Sequence, residues 1–273
     1  MSFLKSIFDF YINSSIHVAL AVYSLVRITE NYLGFPYNES FDYVVFLGTI
    51  TGYNFIKYAG IARLHHLSLT SNLKVIQIFS LICFLLLLYC SSKLSIQTIL
   101  CFCLFAGVTT LYAVPIFNGF KKNLRDISTL KIWVIALVWA ACTVLLPTCD
   151  IGKSIDKGVI LLFVQRILFV VVLTLPFDIR DLQYDKRKLQ TIPQVLGVER
   201  AKKLGFILLA ISMLIEFWIT PNNQFKTVFL IVFLLLLFLL QRSKVKQPKY
   251  YASFWVEALP IFWFIVLSVI TNK

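Results

Sequence analysis

The chain has 273 residues, of which 59% are hydrophobic and only 14% are charged, and its mean hydropathy is +0.83. An average soluble domain carries about 25% charged residues, so this composition excludes a soluble globular protein. The net charge is +13, from 26 Lys and Arg against 13 Asp and Glu, and in a membrane protein it indicates topology rather than nucleic-acid binding. We therefore expect one polytopic membrane domain over residues 1–273 and no nucleic-acid partner.

Apolar segments of transmembrane length recur along the whole chain. A membrane-spanning helix needs about 20 mostly apolar residues, and on that criterion the sequence predicts an all-α integral membrane protein with nine transmembrane helices. The predicted spans are 12–30, 42–60, 74–90, 96–114, 130–148, 158–176, 202–220, 226–241 and 254–271.

Lys and Arg concentrate in the loops after spans 2, 4, 6 and 8 and at the helix ends beside them. Cytoplasmic loops of membrane proteins carry an excess of these residues. The bias predicts a multi-pass protein with a cytoplasmic N-terminus. In a bacterium this protein would lie in the inner, or plasma, membrane. We expect the chemistry at this basic face.

Polar residues mark the ends of spans 2 and 4. On a helix Lys57 lies about 60° from Asn54, and Tyr58 lies about 40° on the other side, so these side chains can face one cavity. The segment that leaves span 4 contains Tyr112 and Pro115, followed by Lys121, Lys122 and Arg125. By itself this second segment is typical of an ordinary basic loop.

Three carboxylates follow span 6. Asp178, Asp181 and Asp185 are spaced so that they share about 60° of one helix face if the helix continues past Pro176. Like charges in this arrangement repel, and a cation would stabilise them. Mg²⁺ typically takes one or two carboxylates plus substrate phosphates. The alternative interpretation is a solvated helix end whose acids pair with neighbouring Lys and Arg.

The wider segment resembles the second acidic motif of the UbiA superfamily of intramembrane prenyltransferases. That motif runs D-x-x-D-x-x-x-D, then a basic pair, then Thr-x-Pro and Gly. Its elements are matched here by Asp178, Asp181, Asp185, Lys186, Arg187, Thr191, Pro193 and Gly197. The segment after span 4 is similar to the family's Tyr-x-x-Pro followed by basic residues.

The resemblance implies a UbiA-like prenyltransferase bundle that transfers a prenyl group from an allylic diphosphate to a lipophilic acceptor, commonly aromatic, among membrane lipid. It implies Mg²⁺ as cofactor, with metal ligands Asp178, Asp181 and Asp185. The catalytic candidates are Asp181, Asp185 and Tyr112. Of these, Tyr112 would shield the allylic cation. The diphosphate-binding candidates are Asn54, Lys57, Lys121, Lys122 and Arg125.

The family's first acidic motif, N-x-x-x-D-x-x-x-D, is degenerate in this chain. Asn54 matches, but Tyr58 and Ala62 occupy the two aspartate positions. We hypothesise that Lys57 supplies part of the positive charge that a metal would supply there. Two alternatives remain open, a catalytically silent UbiA-like protein that binds lipid and a secondary transporter, whose site would lie near the bilayer midplane.

Overall fold

The computed structural model describes residues 3–64, 71–113, 130–183 and 191–271, and within these ranges the side chains of 59–64, 71–72, 111–113 and 130–131 are not described. The described helices are α1 (Phe3–Asn13), α2 (Ile16–Leu33), α3 (Glu39–Leu64), α4 (Ser71–Ser91), α5 (Ile96–Ala113), α6 (Leu130–Ala140), α7 (Leu146–Asp150), α8 (Lys157–Asp181), α9 (Ile192–Leu196), α10 (Val198–Ile219), α11 (Asn223–Arg242) and α12 (Leu259–Thr271). Two π-helical segments, Ala141–Leu145 and Tyr251–Val256, join α6 to α7 and precede α12.

Every predicted span coincides with one of these helices or with a pair of them, but the count of nine spans is not confirmed. Among the described residues, five helical segments are long and apolar enough to cross a membrane, or six if α1 and α2, bent by 53°, form one span. Polar and charged side chains lower the hydropathy of α3 and α10, and the side chains of α5 are described only over Ile96–Thr110, which is shorter than a full span. The chain is a multi-pass membrane protein, and its orientation stays a prediction.

Most neighbouring helices pack side by side, and α12 returns to α2, so the helices form a ring. α2 packs against α3 and α12, α3 against α4, α6 against α8, and α10 against α8 and α11. α5 contacts α3, α6 and α7, and α11 contacts α12, which completes the ring. The largest hydrophobic cluster joins α2, α8 and α12 through residues such as Leu25, Phe169 and Trp263.

A buried polar network joins α2, α8 and α10 inside the ring. Arg166 is 1% exposed and donates to the Leu25 carbonyl at 3.0 Å and to Thr29 Oγ1 at 3.3 Å. Glu216, also fully buried, accepts hydrogen bonds from Tyr32 and from a glutamine of α8. Charged side chains within a membrane protein face the bundle interior and find polar partners there. These contacts therefore align the helices that carry the site.

Gly205 allows α10 to approach α8 and α11 closely. A Cβ added at this position would lie 2.5 Å from Leu240 Cδ2 and 2.9 Å from Leu175 Cδ1. We expect Gly205→Ala to destabilise the protein by about 1–3 kcal/mol, because extra volume in a packed core forces side chains off their rotamers. The measurement is thermal unfolding in detergent. Gly107→Ala is the matched control, since a Cβ there meets no atom in the described part of the chain within 4 Å. Equal melting temperatures for Gly205→Ala and the wild type would contradict the prediction.

Candidate functional site

A cavity of about 500 Å³ opens at the end of the bundle where α8 ends and where α1 meets α2. Its walls come from α3, α6, α8, the α1–α2 junction and the segment 249–257. The charged residues that line it are Lys57, Asp178, Arg180, Asp181, Lys249 and Glu257. Acids and bases are thus mixed on one concave surface, which can bind a polyanion together with its counter-ions.

Two carboxylates of α8, Asp178 and Asp181, lie on the cavity wall. The helix continues through Pro176 to Asp181, so Asp178 and Asp181 project from one face, one turn apart. Asp178 is 4% exposed, and Asp181 Oδ1 accepts a hydrogen bond of 2.7 Å from Arg180 Nε. The third predicted carboxylate, Asp185, lies outside the described residues.

This donor set fits a magnesium ion. Mg²⁺ prefers oxygen ligands and usually keeps several waters, binding through one or two carboxylates plus substrate phosphates. Asp178 and Asp181 supply two carboxylates beside a cavity with room for phosphate. Within the described ranges, no group of three His, Cys, Asp or Glu side chains is arranged to hold a metal. A metal here would therefore depend on substrate oxygens, on water or on residues such as Asp185.

The motif elements Thr191, Pro193 and Gly197 begin and end the short helix α9. The backbone N–H of Thr191 donates to Gln194 Oε1 at 3.1 Å, and Pro193 occupies the first turn. Gly197 ends α9 with a φ of 80°, a left-handed conformation that glycine adopts at low steric cost. α9 packs against α8 and α10. These positions therefore shape the chain beside the carboxylates.

The α3 wall contributes a cation to the cavity. Lys57 lines the cavity, and its Nζ donates to the Asn13 carbonyl at 3.2 Å. Tyr58, at the first missing aspartate position, donates its hydroxyl to the same carbonyl at 2.9 Å. Ala62 lies on α3 with its side chain outside the described part. The degenerate motif thus binds the α1–α2 junction through Lys57 and Tyr58.

Asn54 is buried and is absent from the residues that line the cavity. Its side chain accepts from Ser15 Oγ at 2.8 Å and donates to the Ser14 carbonyl at 2.9 Å and to Ser80 Oγ at 2.7 Å. Ser15 has a φ of 65°, which is unusual for a residue other than glycine. In this structure Asn54 supports the bend between α1 and α2, and its predicted contact with diphosphate stays a prediction.

Several predicted site residues fall outside the described part of the chain. Tyr112 belongs to the last turns of α5, but its side chain is not described. Lys121, Lys122 and Arg125 lie entirely outside the described residues. Their roles stay predictions.

Sequence reasoning missed the wall formed by residues 249–257. Glu257 lines the cavity and interacts electrostatically with Lys57 and Arg180. Lys249 binds Asp9 of α1 at 2.5 Å, and the hydrogen bond to Asp9 raises the pKa of Lys249 above its usual value. One signal was available, since an acidic residue within an apolar segment such as 254–271 marks a functional candidate in a membrane protein.

A second, apolar chamber of about 130 Å³ adjoins the cavity between α3, α5 and α6. Both spaces are lined by Tyr53, Ile56 and Trp139. Trp139 Nε1 donates to the Tyr53 hydroxyl at 2.6 Å, so this pair stands where the two spaces meet. Gly52 and Phe105 belong to the apolar side only. A ligand with a charged head and an apolar tail matches this division.

The chain is similar in structure to a known protein, although comparisons of its sequence find no match. No family model matches the chain, and no curated protein matches it. A solved structure of digeranylgeranylglyceryl phosphate synthase, studied as a membrane protein, matches with a TM-score of 0.55 at 18% sequence identity, covering 96% of this chain and 96% of that chain. At this identity the likeness shows the fold alone. The chain therefore shares the all-helical fold of that membrane synthase.

Proposed function

We propose that this protein transfers a prenyl group from an allylic diphosphate to a lipophilic acceptor, with an aromatic acceptor favoured, within the membrane. The observation that carries the proposal is a charged cavity, with two carboxylates and the cations Lys57 and Arg180 on its wall, that adjoins an apolar chamber. The fold likeness to a membrane prenyltransferase supports the same conclusion.

The diphosphate group binds in the charged cavity. Lys57 and Arg180 donate to its oxygens, and the predicted partners Lys121, Lys122 and Arg125 add further positive charge from the segment that follows α5 in the sequence. Hydrogen bonds between cationic donors and phosphate are about twice as strong as neutral ones. Asn54 acts on this group through the bend that it supports, beside the Lys57 contact to Asn13.

Asp178 and Asp181, with the predicted ligand Asp185, would hold Mg²⁺ beside the diphosphate. When bound, the ion supplies positive charge that stabilises the departing diphosphate. Asp181 also accepts from Arg180, which orients that guanidinium toward the cavity. Burial of Asp178 limits the water that reaches this wall.

The prenyl chain lies in the apolar chamber, past the pair formed by Tyr53 and Trp139. The bond between C1 and the diphosphate oxygen breaks with its electron pair leaving on the diphosphate. The acceptor's nucleophilic atom then bonds to C1. The acceptor loses a proton, and we propose that the Glu257 carboxylate accepts it. The ring faces of Tyr53 and Trp139, and the predicted Tyr112, shield the allylic cation.

A silent lipid-binding protein is the second candidate, and one observation favours it. At the degenerate first motif the Tyr58 hydroxyl binds the Asn13 carbonyl, so this α3 position contributes no carboxylate. Such a protein would bind a prenyl diphosphate without releasing diphosphate from it.

The test is binding and turnover of geranylgeranyl diphosphate by the purified protein in detergent, with and without Mg²⁺. We expect Mg²⁺-dependent binding and release of diphosphate when a lipid extract or a panel of phenols is supplied as acceptor. Binding without any release would favour the silent candidate. Absence of binding would overturn both.

Replacing Lys57 with methionine should weaken binding of geranylgeranyl diphosphate by about 10- to 100-fold, because a hydrogen bond to a charged group contributes about 1.5–3 kcal/mol. The measurement is the Kd in the presence of Mg²⁺. Lys93→Met is the control, since Lys93 lies at the other end of the bundle against Tyr89. An unchanged Kd for Lys57→Met would reject the compensating role of this lysine.

A further inference from the structure

Two of the six cysteines meet at the end of the bundle opposite the cavity. Cys101 Sγ of α5 and Cys149 Sγ of α7 are 2.7 Å apart, although both are free thiols in this structure. Unbonded sulfur atoms normally stay farther apart than this, and a disulfide bond measures about 2.05 Å. Both residues are partly exposed. The pair therefore needs only a small movement to close and is open to a reagent.

Polar contacts hold the two helices together around the pair. Thr98 Oγ1 donates to Asp150 Oδ1 at 2.9 Å, and Asn38 donates to the other oxygen of Asp150 at 2.8 Å. Thr98 lies one helical turn before Cys101, and Asp150 directly follows Cys149. Because the Thr98–Asp150 bond already joins α5 to α7, a covalent link would require little further ordering of the chain.

The cysteine pair lies on the side of the membrane where disulfides are expected to form. Cys101 lies near the start of α5, and Cys149 lies at the end of α7, next to the acidic ends of α2 and α3. Basic loops are predicted at the opposite face, which the positive-inside rule makes cytoplasmic. Disulfides form and persist on the other, oxidising side of such membranes.

We propose that Cys101 and Cys149 form a disulfide that ties α5 to α7 at the face away from the basic loops. One thiolate attacks a disulfide of a small molecule or of a thiol oxidase, giving a mixed disulfide, and the second thiolate displaces the remaining thiol. The two cysteines lose two protons and two electrons, and the oxidant's disulfide is reduced to two thiols. The proposal is independent of the function of the cavity.

The test uses the full chain in detergent, incubated with oxidised glutathione, blocked with N-ethylmaleimide in denaturant, then reduced and labelled with a maleimide polymer. We expect two thiols to be protected in the wild type, and mass spectrometry to find the peptides of Cys101 and Cys149 linked. Cys101→Ser and Cys149→Ser should each remove this link. Cys103→Ser should retain it, because Cys103 lies on the same helix but is exposed away from α7.

Thermal unfolding provides a second readout. The oxidised wild type and the oxidised Cys103→Ser variant should each unfold at a temperature several degrees above that of their reduced forms, because a cross-link restricts the unfolded chain. Cys149→Ser should show no such difference. A wild type without the link after oxidation, or a link that persists in Cys149→Ser, would overturn the proposal.

Discussion

The double variant Asp178→Asn, Asp181→Asn is expected to lose Mg²⁺-dependent binding of geranylgeranyl diphosphate, with Kd rising by at least about 100-fold, equivalent to about 2.7 kcal/mol. Asparagine keeps the volume of each side chain but removes the two negative charges that the cavity offers to a cation. Without them, Lys57 and Arg180 still attract the diphosphate, so we expect the residual binding to become insensitive to Mg²⁺. Titration calorimetry with and without Mg²⁺ measures both effects.

Asp156→Asn is the matched control for this variant. Asp156 begins the same helix at its other end, where its side chain accepts from the backbone N–H of Val159 at 2.9 Å. Asparagine caps a helix about as well as aspartate, so neither binding nor stability should change. If the double variant folds, as judged by its melting temperature, and binds the diphosphate as the wild type does, the carboxylates are not the metal site.

Replacing Gly52 with phenylalanine is expected to separate long substrates from short ones. Gly52 lines the apolar chamber on α3, and a Cβ there meets no atom of the described residues within 4 Å. A phenyl ring would occupy the space that we assign to the prenyl chain. Expelling about four buried CH₂ groups costs about 3 kcal/mol. The Kd for geranylgeranyl diphosphate should therefore rise by about 100-fold, whereas the Kd for dimethylallyl diphosphate should change by less than about 3-fold.

Two controls accompany this variant. Gly52→Ala should bind both diphosphates as the wild type does, since the chamber has room for a methyl group. Gly107→Phe adds the same ring at an exposed position of α5 and should also leave both affinities unchanged. Equal losses for the long and the short diphosphate in Gly52→Phe would mean that the chain does not bind in this chamber.

The shared face of Asp178 and Asp181, which we call the carboxylate stripe, was predictable because it depends on one helix. The spacing of Asp178 and Asp181 places them on one face whenever the helix is continuous, and α8 does continue through Pro176. The helix positions were predictable for a similar reason, since long apolar segments form helices in membranes, where every backbone polar group must be satisfied. The number of spans was less predictable, because α3 and α10 combine polar and apolar residues.

Local pattern marks Glu257 as a candidate, as an acidic residue in an apolar segment, but it predicts neither its place beside the cavity nor the contacts of Asn54. Asn54 binds Ser15, 39 residues earlier in the chain, and so supports the bend between α1 and α2. No sequence pattern predicts this bend. Glu257 reaches the cavity because α12 returns to α2 and closes the ring. In both cases the partner is distant in sequence, and only helix packing brings it near.

The sequence by itself determined that this is a helical membrane protein with a stripe of carboxylates at the end of an apolar helix, because hydropathy and the 3.6-residue period are local properties. Only the tertiary structure decided which residues share the cavity with that stripe. It brought Lys249 to Asp9, 240 residues away, and Cys101 to Cys149, 48 residues away. Such contacts depend on the order in which helices close a ring, and that order is decided by the packing of all their faces together.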